Sequence, residues 1–333
     1  MKVTAQAPGK IILFGEHAVV YDKLGVAATV DLHSNVSIED ATDGIGIDNY
    51  GENVATNEDE CKNIFERVQQ LALEKNFDGI TKMVSENKHN FMKYVIGSVA
   101  QKTTLKPMKI SISNELRKGM GTSASISSAA VAAIAKFNSL ELDIAEINRL
   151  SVLGDVFAHG GLTSGIDSNT ITNGGYILFR KSEGAKRMET NIKLNIVIGD
   201  TKIRCNTAEA TVAVRKLREV NEEAVEAVDR IDEISSGAAN MIKNNNLEEL
   251  GMLMDENQKM LRIIGVSHPK LEELIKAAKD AGALGAKLSG AGCGGIMYAL
   301  VTEETQNAVA RAIARAGGEA IITKLGVEGV KII

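Results

Sequence analysis

Apolar positions along the chain switch between a period of two and a period near 3.6, and those switches outline its elements. Strand-like alternation covers residues 2–7 and 11–14, separated by Pro8-Gly9, then Gly25 to His33 and the short run Val36-Ser-Ile. Asp40 to Asn57 is polar and glycine-bearing, which fits a hairpin or a mobile loop. Helical spacing begins at Phe65 and again at Phe91, and Pro107 to Ser113 alternates as a strand. Two helices follow, over about 123–138 and 143–157, then a strand in Gly174 to Arg180. Leu194 to Asp200 reads as a buried strand opening a new section. Residues 207–263 are helical almost throughout, with expected breaks near Asn221 and Ser236-Gly237. Pro269 starts a further helix where its missing N–H costs little. The remainder predicts strands at 286–288 and 295–301, a helix over about 304–316, and a strand from Glu319 to Thr323. This β-β-α-β tail after helices suggests an α+β sandwich. The charged run Arg180-Lys-Ser-Glu-Gly-Ala-Lys-Arg187 supplies a domain boundary near 185, giving domains 1–185 and 186–333.

The totals agree with two domains, since 333 residues exceed the usual span of one. A hydrophobic content of 44% is ample for cores, but tryptophan is absent, so Val, Ile, Leu, Ala and Met must fill them. A net charge of -5 argues against a general nucleic-acid binder, while a local basic patch could still hold a nucleotide. No apolar tract reaches the roughly 18 residues of a membrane span. The stretch Met1 to Gly9 lacks the apolar core of a signal peptide. Cys61, Cys205 and Cys293 are too scattered for a disulfide framework or a zinc site. A cytoplasmic protein, with neither membrane nor nucleic acid as partner, is the expectation.

Three glycine-rich segments carry the candidate chemistry. In Arg117-Lys-Gly-Met-Gly-Thr-Ser-Ala-Ser125 two glycines feed an alanine-rich helix. Backbone N–H groups and the positive helix end converge there, which suits a phosphate. Thr122 or Ser123 could add a hydroxyl ligand for a phosphate-bound Mg²⁺. The same residues also suit a close-packed helix start with no ligand. No Gly-x-x-x-x-Gly-Lys-Ser/Thr occurs, which excludes a P-loop NTPase. Gly290-Ala-Gly-Cys-Gly-Gly295 matches the dinucleotide fingerprint as a string, yet it leads into a strand-like run where that fingerprint must open a helix. Lys10 is embedded among apolar residues, unusual for a lysine unless paired, or else it lies at a strand edge with its head in water. Asp167 sits in a loop rich in Gly, Ser and Thr, where an ordinary turn-forming role is the competing reading.

Together these segments resemble the GHMP kinase superfamily and, within it, the mevalonate kinase family of archaeal type, over essentially the whole chain. Ala7-Pro-Gly-Lys-Ile-Ile-Leu-Phe-Gly-Glu-His-Ala-Val-Val-Tyr21 is close to the first family motif. Gly119-Met-Gly-Thr-Ser-Ala-Ser125 is similar to the phosphate loop GLGSSAA, and Ser164-Gly-Ile-Asp167 to the SGxD segment that bears the catalytic aspartate. Ala286-Lys-Leu-Ser-Gly-Ala-Gly-Cys-Gly-Gly295 resembles AKLTGAGGGG. The departures are specific. Glu115-Leu-Arg replaces the usual Pro-x-Gly, Thr122 replaces a serine, Thr163 replaces a proline, and Cys293 replaces a glycine. His159-Gly-Gly-Leu-Thr163 carries one extra residue. With it, Asp155 matches the family's magnesium-binding glutamate; without it, Val156 falls there.

The resemblance implies a two-domain α+β fold, with an N-terminal half like ribosomal protein S5 domain 2 and a ferredoxin-like C-terminal sandwich. It implies transfer of phosphate from ATP, with Mg²⁺, to the 5-hydroxyl of mevalonate in isoprenoid precursor synthesis. On that basis Asp167 is the base and Lys10 its electrostatic partner. Lys118, Gly119, Met120, Gly121, Thr122, Ser123 and Ala124 would cradle the ATP phosphates, and Ser123 with Asp155 would hold the metal. Glu16, His17 and Gly292 would bind the acceptor. The alternative keeps the fold and changes the acceptor, as in phosphomevalonate kinase, a mevalonate 3-kinase or diphosphomevalonate decarboxylase; phosphorylated substrates would call for additional Arg or Lys, and Glu16 with His17 favours unphosphorylated mevalonate. A non-catalytic homologue that only binds ligand is the third reading, which joint retention of Lys10, Ser123 and Asp167 opposes. Family members are often homodimers.

Overall fold

Hydrogen-bonded strand pairing shows at once where the apolar alternation leads. In the computed structural model, which describes residues 1–49, 51–161 and 163–333, the chain packs into two units. The first comprises Met1–Lys10, Leu32–Gly174 and Glu328–Ile333, and the second Ile11–Asp31 and Gly175–Val327. The two longest strands, β1 (Lys2–Phe14) and β2 (Gly25–Asp40), contribute to both units.

In the first unit β1 and β2 are joined by β3 (Ile45–Asn49), β4 (Glu52–Thr56) and β5 (Met108–Asn114). The hairpin alternative for 40–57 therefore holds, with Tyr50 outside the described residues. β5 runs antiparallel to β2, Ile38 facing Ile110, and parallel to β3. Among the described residues six α-helices complete the unit before the chain leaves it: α1 (Glu58–Leu73), α2 (Phe77–Glu86), α3 (Asn90–Ala100), α4 (Thr122–Phe137), α5 (Ile144–Ala158) and the short α6 (Ile166–Asn173). Helix α4 is buried nearly all round, so its serines need internal partners. Ser125 donates to the Ala7 carbonyl at 2.9 Å and Ser127 to the Ser151 carbonyl at 3.1 Å. The core joins Val36, Ile38, Ile47 and Ile110 of the sheet to Ala129, Val131, Ala133 and Ile134 of α4.

One expectation is corrected here. Pro8-Gly9 does not split β1, which runs unbroken from Lys2 to Phe14. Successive amides point to opposite sides of a strand, so Pro8 shares a side with Thr4, Gln6 and Lys10. The pairing on that side stops at Gln6, and the Lys10 N–H instead donates to the Met120 carbonyl at 2.9 Å. A missing N–H at Pro8 thus deprives no ladder partner. Helix α2 was not foreshadowed by the patterning; its roughly two turns of apolar residues (Phe77, Ile80, Met83, Val84) pack on the separate cluster around Tyr94 and Phe157.

The second unit takes Gly25–Ala28 of β2, which pairs with β6 (Tyr176–Arg180), itself paired with β7 (Gly184–Arg187). Residue 185, expected as a boundary, lies within this hairpin. An antiparallel sheet follows, in the order β11-β8-β10-β9, from β8 (Asn195–Asp200), β9 (Gly285–Ser289), β10 (Ile296–Leu300) and β11 (Glu319–Lys324). Its helices are α7 (Thr207–Val220), α8 (Glu222–Asn244), α9 (Leu247–Ile263), α10 (Pro269–Asp280) and α11 (Gln306–Arg315). Val197, Leu288, Met297 and Ala299 of the sheet pack on Ile231, Leu261, Leu274 and Ile313 of these helices.

The break at Asn221 is observed, where Asn221 caps α8, but none occurs at Ser236-Gly237. Ser235 and Ser236 donate to carbonyls one turn back in an unbroken helix, at 2.7 and 3.0 Å. The turn falls instead at Asn245, in the left-handed conformation at φ 54°, with Asn246 capping α9. The last strand, β12 (Lys331–Ile332), belongs to the first unit and pairs with Ala5 and Gln6. Among the described residues no helix is long and apolar enough to cross a membrane.

Candidate active site

In the first unit, the loop after β5 brings Lys118 to Ala124 against β1. Gly121 sits at the N-cap of α4 with φ 73° and no side-chain cap. The first helical bond runs from the Ser125 N–H to the Gly121 carbonyl at 2.9 Å. The N–H groups of Thr122, Ser123 and Ala124 precede it and have no carbonyl to meet within their own helix. Lys118 and Gly119 are exposed, while Met120 is buried and its N–H donates back to the Arg117 carbonyl at 3.2 Å. Met120 therefore anchors the loop, and its amide is already engaged. A Cβ on Gly121 would lie 3.2 Å from Lys10 Cγ and 3.3 Å from Lys10 Cε, so the glycine makes room for the lysine stem.

Lys10 and Asp167 meet across this loop. Lys10 Nζ is 3.0 Å from Asp167 Oδ1 and 3.4 Å from the Gly119 carbonyl. The lysine side chain is 8% exposed and the aspartate 21%, so the carboxylate remains reachable while the ammonium is sheltered. Asp167 lies in the first turn of α6, which starts at Gly165 with φ 75° and no side-chain cap. A carboxylate there is favoured by the positive helix end.

Beside this pair, Asp155 on α5 is fully buried and densely hydrogen-bonded. Ser123 Oγ donates to Oδ1 at 2.8 Å and Thr163 Oγ1 to Oδ2 at 3.0 Å. His159, one turn later, places Nδ1 3.3 Å from Oδ1 and 2.8 Å from the Asp155 carbonyl. Burial is the largest influence on Asp155 and pushes its carboxyl up, yet His159, Ser123 and Thr163 outweigh it and hold the group below the usual range. Hydrogen bonding to Asp155 raises His159 to about 9, against burial, with the charges of Asp155 and Asp167 adding to the rise. Spacing alone left Asp155 and Val156 as alternatives for the metal acid; Asp155 is the one that meets Ser123. Leu162, in the segment carrying the extra residue, lies outside the described residues. His159 was not singled out in the sequence, although its position four residues after Asp155 on one helix was the available signal.

The second unit holds Glu16, His17 and Gly292. Glu16 forms an ion pair with Lys287, the two side chains 1% and 0% exposed. His17 has φ 61°, rare for a residue with a side chain, and its Nε2–H donates to the Ala291 carbonyl at 2.9 Å. Burial lowers the His17 imidazole, with the Ala291 bond opposing. Gly292 has φ 73°, and a Cβ there would meet the Val266 carbonyl at 2.1 Å, so no other residue fits. Cys293 donates its N–H to the same carbonyl at 2.6 Å. Lys287 escaped sequence reasoning as a functional residue, because a lysine within an apolar strand gives no hint of its partner.

Comparison with known proteins now has geometry to rest on. Residues 90–175 match the GHMP kinases N terminal domain and residues 238–319 the GHMP kinases C terminal model. A curated mevalonate kinase of Pyrococcus furiosus is 35% identical, the alignment covering 100% of this chain and 98% of the relative. A crystal structure of mevalonate kinase superposes with a TM-score of 0.83 at 26% identity, over 98% of this chain and 99% of the other. The L. major mevalonate kinase in complex with R-mevalonate gives 0.76 at 25% identity, over 97% and 96%. The fold is thus that of a GHMP kinase. The chain belongs to the mevalonate kinase family, and it is an enzyme of that family.

Proposed function

We propose that this protein transfers the γ-phosphoryl group of ATP to the 5-hydroxyl of mevalonate, giving 5-phosphomevalonate and ADP. The observation that carries the reading is the Lys10–Asp167 pair at 3.0 Å beside an uncapped, glycine-led helix start. Phosphoryl transfer asks a protein mainly for alignment and charge stabilisation. The Thr122, Ser123 and Ala124 amides bind the phosphate oxygens, with Lys118 adding charge at the loop surface. Asp167 accepts the proton of the acceptor hydroxyl as that oxygen attacks, and Lys10 stabilises the charge that develops on it.

The residues also suit Mg²⁺. Ser123 Oγ and the Asp155 carboxylate, 2.8 Å apart, supply oxygen donors, the kind a hard cation takes. Such an ion would be held by the Asp155 carboxylate, the Ser123 hydroxyl and the nucleotide. When bound, the ion neutralises charge on the β- and γ-phosphates. Glu16 and His17 bind the acceptor through its hydroxyl and carboxylate groups, and Gly292, whose side-chain space the Val266 carbonyl fills, shapes the loop beside it.

Replacing Asp167 with Asn tests the central assignment. ADP release, coupled to a dehydrogenase, should disappear with mevalonate while ATP binding measured by calorimetry stays nearly intact. Undiminished turnover would remove Asp167 from the role. Phosphomevalonate, homoserine and galactose in the same assay, using the unaltered protein, distinguish the acceptor, and turnover confined to one of them would replace mevalonate in the reading.

A further inference from the structure

Inside the second unit, four hydrogen bonds or ion pairs tie residues 12–17 to β9, β10 and the loop between them. Ser289 Oγ donates to the Ile12 carbonyl at 2.8 Å, and the Tyr298 hydroxyl donates to the Leu13 carbonyl at 2.8 Å. Lys287 Nζ meets Glu16 Oε1, and His17 donates to the Ala291 carbonyl at 2.9 Å. Lys287 stands opposite Tyr298 in the β9–β10 ladder. Its ammonium lies 5.4 Å from the Tyr298 ring centre and 5.7 Å from that of Phe14. A further bond to the Leu288 carbonyl, at 2.8 Å, fixes the ammonium to its own strand. Burial draws Lys287 below the ordinary lysine range, with Glu16 opposing.

A fully buried ion pair is a weak source of stability, because apolar residues of the same size often do as well or better. Something other than stability therefore explains a lysine here. Two rings, a strand carbonyl and a carboxylate surround the ammonium, so its position is set by β9 and β10, and Glu16 is pinned to it. An acceptor that carries its own carboxylate would be repelled by an uncompensated Glu16.

We propose that Lys287 is a positioning residue for the phosphoryl acceptor, acting through Glu16. It fixes the orientation of the Glu16 carboxylate and balances its charge, so that an anionic acceptor can be gripped by a glutamate. The inference rests on Glu16 as an acceptor ligand, as proposed above.

Four variants of the full chain test it: Lys287→Met, Lys287→Arg, Glu16→Gln and the double Glu16→Gln/Lys287→Met. Each is read by the mevalonate KM, the ATP KM, kcat and the thermal midpoint. Lys287→Met should raise the mevalonate KM about tenfold, within the range for residues of one hydrogen-bonded network, while kcat and the ATP KM stay within about twofold. Lys287→Arg should recover part of that loss. In the Glu16→Gln background, Lys287→Met should add no further rise in KM, and the neutral pair should melt above either single variant. Should Lys287→Met fail to fold, the comparison of Glu16→Gln with the double variant still decides. An additional KM rise in the double variant would overturn the proposal. So would a Lys287→Met enzyme with normal mevalonate KM beside a Glu16→Gln enzyme whose KM is raised. A Glu16→Gln enzyme with unchanged mevalonate KM would instead remove Glu16 as an acceptor ligand, and the inference with it.

Discussion

Adding one methyl group at Gly121 should separate the loop's chemistry from its packing. Gly121 has φ 73°, and a residue with a Cβ in that conformation loses about 1–2 kcal/mol. The new Cβ would stand 2.9 Å from Ile171 Cδ1, the tip of a flexible side chain that can turn away. It would also stand 3.2 Å and 3.3 Å from Lys10 Cγ and Cε, and here yielding is harder. Lys10 is tethered at both ends, through its N–H to the Met120 carbonyl at 2.9 Å and through Nζ to Asp167 at 3.0 Å. The stem must move by a few tenths of an ångström, and the ion pair lengthens. Since a misplacement of about 1 Å can lower a rate about 10²-fold, this smaller shift should lower kcat roughly tenfold. Gly121→Ala is thus expected to lose about 2 kcal/mol in urea unfolding and to turn over about ten times more slowly in the coupled ADP assay at saturating ATP. Normal stability would refute the conformation assigned to Gly121. Normal kcat with lowered stability would refute the contact between this glycine and the lysine.

Two further expectations concern the first unit away from the loop. At Gly97 a Cβ would meet the Cys61 carbonyl oxygen at 2.2 Å, and backbone cannot yield as a side-chain tip can, so Gly97→Ala should force α1 and α3 apart and lose about 3 kcal/mol; wild-type unfolding midpoints would contradict that close approach. Burial, only partly offset by the Thr56 hydrogen bond, pushes the Cys61 thiol up from 9.0 to about 11. The folded chain therefore holds that proton more tightly than the unfolded one, and the stabilisation is complete below about pH 9 and disappears as pH rises towards about 11. Cys61→Ala should flatten this part of the pH–stability curve, and an unchanged slope would assign it to other groups.

Much of the candidate site in the first unit could be read from the chain because each segment declares its own backbone need. Glycines flanking Met120, a lysine in an apolar strand and an aspartate after Ser-Gly are local signals, and the structure brings Lys10, Gly121 and Asp167 together. What remained hidden depends on contacts between distant segments. Lys287 lies 271 positions from Glu16, and no pattern around either residue announces the other. The contact between Asp155 and Ser123, 32 positions apart, was equally invisible in the chain. Local signals also misled where packing overrode them. Ser236-Gly237 looks like a helix breaker, yet α8 runs unbroken through it, with Ser235 and Ser236 bonded to carbonyls one turn back. Pro8 looks like a strand breaker, yet it falls where β1 has no ladder bond to lose.

The pairing of Ala5 with Ile332 spans nearly the whole chain, and it covers the edge of the strand that carries Lys10. Closing so long a loop is slow compared with forming local helices, because the entropy is lost before the contact rewards it. During folding, the amides along that edge of β1 therefore stay open to pairing with another chain long after α4 and α5 can form. In the first unit the strand bearing Lys10 thus waits on the final pairing to cover this edge, and it is a segment on which aggregation during refolding should depend.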